Sequence, residues 1–390
     1  MIGKLPTAWL QLTYQKMKFF VAIAGIALIV ALVFMQLGFQ SALFDSSVRL
    51  PKSLQGDIFL ISSRSTTLTS LFNFSQRRLY QAFAFSEVDY VVPIYTDTVR
   101  WRNPDLKSLW RNIYLIGFDP NYSVFDLPGV KENIAKLKIP DLILFDRRSR
   151  PEFGDVVTQF DRQSTLIADI RGNSSSDRQV TVAGLFSLGT SFGIDGNLIT
   201  SDLNFLRIVS NRQTGLINLG LIKLKPNSDL QQVIAKMKTY LPADIQIFSQ
   251  EELIKWERSF WQQKTVIGFI FNLGLVGTFV VGIIIIYQIL YSNISDYLVE
   301  FATLKAIGYR HIYLLKIVFQ QSFILAILGY VPGFFLAQGV YYFSRNNTNL
   351  PIYLNLSNSA IVLLLTTSIT LLSGAITVHK LKGTNPADIF

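Results

Sequence analysis

Residues 19–39 read FFVAIAGIALIVALVFMQLGF, with no charged side chain. A bilayer core accepts about 20 apolar residues in helical form, because every backbone N–H and C=O must be bonded within the segment. This run is long enough to span. Three more such runs are crowded between Thr265 and Val378, and a long, mostly polar stretch separates the first run from the second. The layout describes a membrane protein of four transmembrane α-helices, with a large α+β domain inserted between helices 1 and 2.

Half the residues are hydrophobic and 16% are charged, which is apolar for an ordinary soluble domain. The net charge of +10 raises the question of a nucleic-acid partner, and its distribution answers it. Outside residues 42–264 the cations are Lys4, Lys16, Lys18, Lys305, Arg310, Lys316, Arg345, Lys380 and Lys382, and all but Arg345 flank spans on one side. Inside 42–264 the two signs are interspersed and nearly balanced. Positive-inside asymmetry explains most of the excess, and no nucleic-acid partner is expected. There is no cysteine, which excludes disulfides, thiolate metal sites and cysteine nucleophiles. The two histidines, His311 and His379, read as interfacial side chains beside spans, and neither a metal nor another bound cofactor is expected on this chain.

Residues 1–18 read as a cytoplasmic amphipathic helix lying on the leaflet, with Trp9 and Leu12 on one face. The run that follows exceeds a usual signal-peptide core and no A-x-A site comes after it, so an uncleaved anchor is expected. The expected order is then span one at 19–41, the outer domain at 42–264, span two at 265–291, a cytoplasmic loop at 292–312, span three at 313–343, an outer loop at 344–358, span four at 359–378 and a cytoplasmic tail at 379–390. Both termini lie inside, and a kink is expected at Pro332-Gly333. Small residues recur at helical spacing, Ala27 and Ala31 in span one and Gly274, Thr278 and Gly282 in span two. Such a stripe admits close helix packing, either within one chain or as the seam of a homodimer. No acid, lysine or arginine lies deep in a span, which argues against an ion or proton relay.

The large domain mixes strand and helix patterns. DIFLIS (57–62) and YVVPIY (90–95) read as strands around a helix at 76–85. INLGLIKLK (217–225) and 245–248 read as strands around a helix at 228–240. Paired, these end units form a membrane-proximal subdomain (about 50–118 and 211–250). The middle, about 119–210, forms a distal one with strands near 142–145, 166–170 and 180–186. The tract 171–178 reads as a turn, 189–196 as a loop and 251–263 as a helix leading into span two. No G-x-S-x-G, H-E-x-x-H or P-loop pattern occurs, and no histidine lies in the domain, so no catalytic role is expected of this chain.

Between spans two and three stands SNISDYLVEFATLKAIGYRH (292–311). Acids come early (Asp296, Glu300) and Lys305 late, as a helix dipole favours, and Gly308 is a natural stop. Leu298, Phe301, Ala302 and Ile307 leave an apolar patch on a short helix, suited either to the membrane surface or to docking a soluble partner.

The run Glu300, Phe301, Ala302, Thr303, Leu304, Lys305, Ala306, Ile307, Gly308, Tyr309 and Arg310 resembles the ATPase-coupling segment of FtsX/MacB-type permeases of ABC transporters. The one-plus-three span layout is similar to that family's. More narrowly, the chain resembles DevC-like permeases of cyanobacterial DevBCA-type exporters, on FMQLGFQSALFD (34–45), DLILFDRRSRPEFG (141–154), GIDGNLITSDLNFL (193–206), residues 287–310 and NPADIF (385–390). The resemblance implies a type VII ABC transporter fold in the inner membrane with the large domain periplasmic. It implies a homodimer, a separate DevA-like ATPase that uses ATP and magnesium, a DevB-like periplasmic adaptor and a TolC-like outer-membrane duct, with a glycolipid or other amphiphile as cargo. The alternative is an FtsX-like signalling subunit that regulates a periplasmic cell-wall hydrolase.

Overall fold

The computed structural model describes residues 7–172, 177–297, 299, 300, 303, 307, 311–348 and 352–381. These fall into two units, Met1–Ala42 with Val266–Phe390, and Leu43–Thr265. In chain order the second interrupts the first.

The first unit is helical. Lys16–Ser47, Val266–Asp296, Leu315–Arg345 and Leu356–His379 are each long and apolar enough to cross a membrane. The first helix runs past the expected limit at 41. The stretch QSALFDSS carries no Gly or Pro to stop it, and the Ser46 and Ser47 hydroxyls donate to the Leu43 and Phe44 carbonyls at 2.7 and 2.8 Å. The third helix, His311–Thr348, continues through Pro332. Its Gly329 and Gly333 let it lie against the first helix. A Cβ on Gly333 would stand 2.6 Å from the Val30 Cβ and 2.7 Å from the Ala27 carbonyl, and one on Gly329 would overlap Ile26. Lys18 pairs with Asp296, which puts the start of the first apolar helix and the end of the second at one end of the bundle.

The short helix Thr7–Tyr14 departs from expectation. It presents Ala8 and Leu12, four residues apart, to the bundle and buries both, with Ala8 against Ile294, Ile317, Val318 and Val378. Trp9 instead faces outward and meets Phe19 edge-on at 6.0 Å. The Gln11 carbonyl accepts the Tyr297 hydroxyl at 2.9 Å and its amide oxygen accepts Gln321 Nε2 at 2.9 Å. Ala8 is small enough for the helix to seat on its neighbours, so the bundle, rather than lipid alone, takes up its apolar face.

The second unit is a mixed α/β structure with eleven strands among the described residues, β1 (Ile58–Ser62), β2 (Phe74–Ser75), β3 (Val88–Arg102), β4 (Trp110–Phe118), β5 (Leu142–Asp146), β6 (Leu166–Arg171), β7 (Asp177–Phe186), β8 (Asn197–Ser201), β9 (Leu216–Ile217), β10 (Leu219–Leu224) and β11 (Ile245–Ser249). Nine form one sheet in the order β11-β1-β10-β3-β4-β8-β5-β7-β6, and β2 pairs with β9. β4–β8 and β5–β7 are parallel, and the other sheet neighbours are antiparallel. The two end units therefore lie side by side. The middle strands do not make a sheet of their own. The length of β3 is the reason. Its first half pairs with β10, its second half with β4, and its end returns to β6 at Arg100↔Arg171 and Trp101↔Ile170. Six strands thereby close into a ring. Trp101 is buried, donates Nε1–H to the Phe153 carbonyl at 3.0 Å and packs on Phe145.

Candidate transmission site

The chain enters the α/β unit near Asp45 and leaves it near Thr265, and these two crossings are bonded to each other and to the sheet. The exit helix Gln250–Ser259 begins with a capping box. Ser249 Oγ accepts from the Glu252 N–H at 3.2 Å, and the Glu252 carboxylate accepts from the Ser249 N–H at 2.8 Å. The Gln250 amide donates to the Leu54 and Pro51 carbonyls at 2.8 and 3.2 Å, and Arg258 pairs with Asp45. The exit helix is thus clasped to the entry segment at both ends. Phe260–Lys264 continues it as a π-helix, a form that often marks functional positions.

Leu253 and Glu257 occupy one face of the exit helix and are fully buried. A buried carboxylate needs hydrogen-bond donors. Glu257 has three, the Thr67 hydroxyl at 2.8 Å, the Leu68 N–H at 2.7 Å and the Trp261 indole N–H at 2.8 Å. Burial pushes its carboxyl above the ordinary value, and the three donors only partly offset that. The Leu68 carbonyl in turn accepts the buried Tyr114 hydroxyl of β4 at 2.8 Å. Trp261 packs edge-on against Phe192 of the loop 187–196, with centroids 5.4 Å apart.

That loop is itself fixed to the sheet. Asp146, at the end of β5, is buried and accepts from the Gly189 N–H at 2.7 Å, Asn197 Nδ2 at 2.9 Å, the Arg148 N–H at 3.0 Å and the Leu188 N–H at 3.2 Å. Burial raises its carboxyl as well. Gly189 turns the chain at φ +95°, where a side chain would be strained and would also strike Arg49, whose guanidinium donates to the Thr190 carbonyl at 3.3 Å. The loop expected at 189–196 is therefore a strut between the two crossings. No chemical step can be assigned to these groups. What they can do is pass a displacement of either crossing into β4 and β5.

Of the residues expected to couple to an ATPase, Glu300 is helical and exposed, and Ile307 is 71% exposed with its N–H on the Thr303 carbonyl at 3.0 Å. Phe301, Leu304, Lys305, Ala306, Gly308, Tyr309 and Arg310 lie outside the described residues, as do Leu298 and Ala302 and residues 173–176 of the turn expected at 171–178. The small-residue stripe is occupied within the chain. Ala27 and Ala31 are buried, with the Ala27 carbonyl beside Gly333; Gly282 faces Ile29 and Ile369; and Gly274 faces Gln36, which donates to the Phe271 carbonyl at 2.8 Å. The Thr278 hydroxyl bonds the Gly274 carbonyl of its own helix at 2.9 Å. Sequence reading missed Glu257 and Asp146, although S-x-x-E at 249–252 marks the start of the exit helix. It also passed over G-x-x-x-G at 329–333, the pattern that seats span three.

The three helices after the α/β unit carry the identifying signal. Residues 272–386 match the FtsX-like permease C-terminal family. The matched part covers the second apolar helix from residue 272 onward, the third and fourth apolar helices, and the segment between the second and third. No curated protein sequence matches the chain. Among solved structures, the periplasmic region of MacB from Actinobacillus actinomycetemcomitans aligns at 12% identity and TM-score 0.35, over 52% of this chain and 92% of that one. The extracellular domain of the noncanonical ABC-type transporter YknZ from Gram-positive bacteria aligns at 11% identity and TM-score 0.32, over 50% and 99%. A domain of a putative permease from Porphyromonas gingivalis aligns at 13% identity and TM-score 0.28, over 49% and 87%.

Proposed function

We propose that this chain is the membrane permease of an ABC-type exporter, worked by an ATPase on a separate polypeptide and acting by mechanical transmission. The observation that carries the reading is the FtsX-like match over 272–386, a region in which the segment 300–310 joins two apolar helices. A partner as the source of ATP hydrolysis with magnesium is supported by the resemblance of Glu300–Arg310 to an ATPase-coupling segment. In this reading two copies of the chain pair, and each docks its Glu300–Arg310 segment on an ATPase subunit. Closure of the ATPase tilts the first and second spans. The clasp of Asp45 with Arg258 and the Glu257 contacts then carry the tilt into an extracytoplasmic α/β unit, which drives a glycolipid or similar amphiphile towards a periplasmic adaptor and an outer-membrane duct. A DevC-like place in such a three-part exporter is supported by the sequence resemblance alone.

The test is copurification with the cognate ATPase, followed by Leu304→Glu and Gly308→Pro. Both changes are expected to abolish complex formation and permease-stimulated ATP turnover. Survival of both properties in both variants rules the docking role out.

A further inference from the structure

The proposed docking segment Glu300–Arg310 is joined by the chain to the second apolar helix, which ends at Asp296, and to the third, which begins at His311. The first apolar helix is not joined to it. Movement of the segment must therefore reach that helix through contacts. Packing supplies some of them. Gly282 faces Ile29, and Ile289 lies 3.1 Å from where a Cβ on Gly25 would stand. Apolar attraction is non-directional, so such contacts resist separation more than sliding.

Directional contacts gather on the short helix Thr7–Tyr14. Gln11 bonds both flanks of the segment. Its carbonyl accepts the Tyr297 hydroxyl at 2.9 Å on the near flank, and its amide oxygen accepts Gln321 Nε2 at 2.9 Å on the third helix. Ala8 is buried in one cluster with Ile294 of the second helix and Ile317 and Val318 of the third. A single residue, Gln15, separates the short helix from the first apolar helix. That joint is held as well. The Phe19 N–H donates to the Gln15 carbonyl at 3.0 Å, the Phe19 ring meets Trp9 edge-on, and Lys18 pairs with Asp296. Stability alone does not account for Gln321. It is 2% exposed, and among the described residues its Oε1 has no hydrogen-bond partner. A leucine there would avoid the penalty of an unmet buried acceptor. What glutamine adds is a bond of fixed direction.

We propose that Thr7–Tyr14 is the link that carries movement of Glu300–Arg310 into the first apolar helix, with Gln11 and Tyr297 as its positioning residues. The docking role supplies what drives the movement, so the link rests on that reading, and the Gln11 bonds supply its route. The first apolar helix carries Asp45, and the second begins at Val266. Tying their other ends together lets one displacement act on both chain crossings of the α/β unit at once.

The experiment uses the full chain in detergent, whose lack of cysteine lets two labels be placed cleanly. Spin labels at Leu28→Cys and Val299→Cys, both exposed positions, report the distance from the first apolar helix to the near flank of the segment by pulsed dipolar resonance. One narrow distance is expected in the parent chain. Gln11→Leu and Tyr297→Phe are each expected to broaden it. Tyr342→Phe, exposed elsewhere on the third helix, is expected to leave it unchanged. With the cognate ATPase, the first two variants are expected to keep binding but to lose about fivefold or more of the stimulated turnover, the factor that about 1 kcal/mol of lost hydrogen bond represents. Gln11→Glu keeps an acceptor for Gln321 Nε2 and is expected to restore most of what Gln11→Leu loses. An unchanged distance in both variants overturns the link. So does full stimulation in both despite a broadened distance. If the parent chain itself binds no ATPase, the docking reading fails, and the distances alone decide whether the link stands.

Discussion

Glu257 and Tyr114 hold opposite ends of one residue. The carboxylate accepts the Leu68 N–H at 2.7 Å, and the phenol donates to the Leu68 carbonyl at 2.8 Å. Glu257 stands on the helix that leads out of the α/β unit and Tyr114 on β4, so Leu68 is the link between the exit and the sheet. All three are buried.

Glu257→Gln keeps the side chain's shape but places an amide N–H₂ against one of three donors. Tyr114→Phe leaves the Leu68 carbonyl without its partner. Each is expected to cost about 1–3 kcal/mol, the penalty for a buried polar group left unmet. Guanidinium unfolding of the full chain in detergent measures it. Because both act through Leu68, the double variant is expected to lose less than the sum of the two. Strict additivity would mean that Leu68 does not connect them.

Stability is expected to depend on pH through Glu257 and Asp146. Burial raises both carboxyls in the folded protein. The sign follows from linkage. A raised folded value favours protonation in the native state, so this contribution is fully present below the ordinary carboxylate range near about pH 4 and is lost as pH rises through the folded values. Midpoints followed from pH 4 upward should fall over that window, and Glu257→Gln should flatten the fall.

The Asp45–Arg258 clasp separates stability from transmission. Both side chains are more than a third exposed, so the pair is worth about 0–1 kcal/mol and either single change should leave unfolding nearly unaltered. If the clasp carries movement, Asp45→Arg lowers permease-stimulated ATP turnover and the swap Asp45→Arg with Arg258→Asp restores it. Turnover unchanged in the single variant would remove the clasp from the transmission route.

Span three is seated on span one through Gly329 and Gly333. Gly333→Val places methyl groups where the Val30 side chain and the Ala27 carbonyl already stand. Overpacking of this kind costs about 1–3 kcal/mol, and backbone can yield less than a side chain tip. Thermal unfolding in detergent should show a clear loss. Gly339→Val, at a position with nothing within 4 Å, should show little.

Much of the site was hidden because its members are distant in sequence. Nothing in Glu257 itself distinguishes it from Glu251 or Glu252. Its role appears only when Thr67 and Leu68, nearly 190 positions earlier, close over it. Asp146 is likewise one acid in DLILFDRRSR until the turn at Gly189 brings two N–H groups and Asn197 to it. The helix start at Ser249 was open to reading, since a capping box is a local pattern.

The sequence alone determined the four apolar helices, the position of the large unit between the first and second, and the alternation of strands and helices at that unit's two ends. These follow from local patterns, in which hydropathy and side-chain period act over a few residues. The tertiary structure decided three things. It joined all the main strands into one sheet by running β3 past two sets of partners. It folded Thr7–Tyr14 onto the bundle. It turned scattered carboxylates into buried acceptors. Each depends on which distant groups meet, and burial gives a charge its meaning only after they have met.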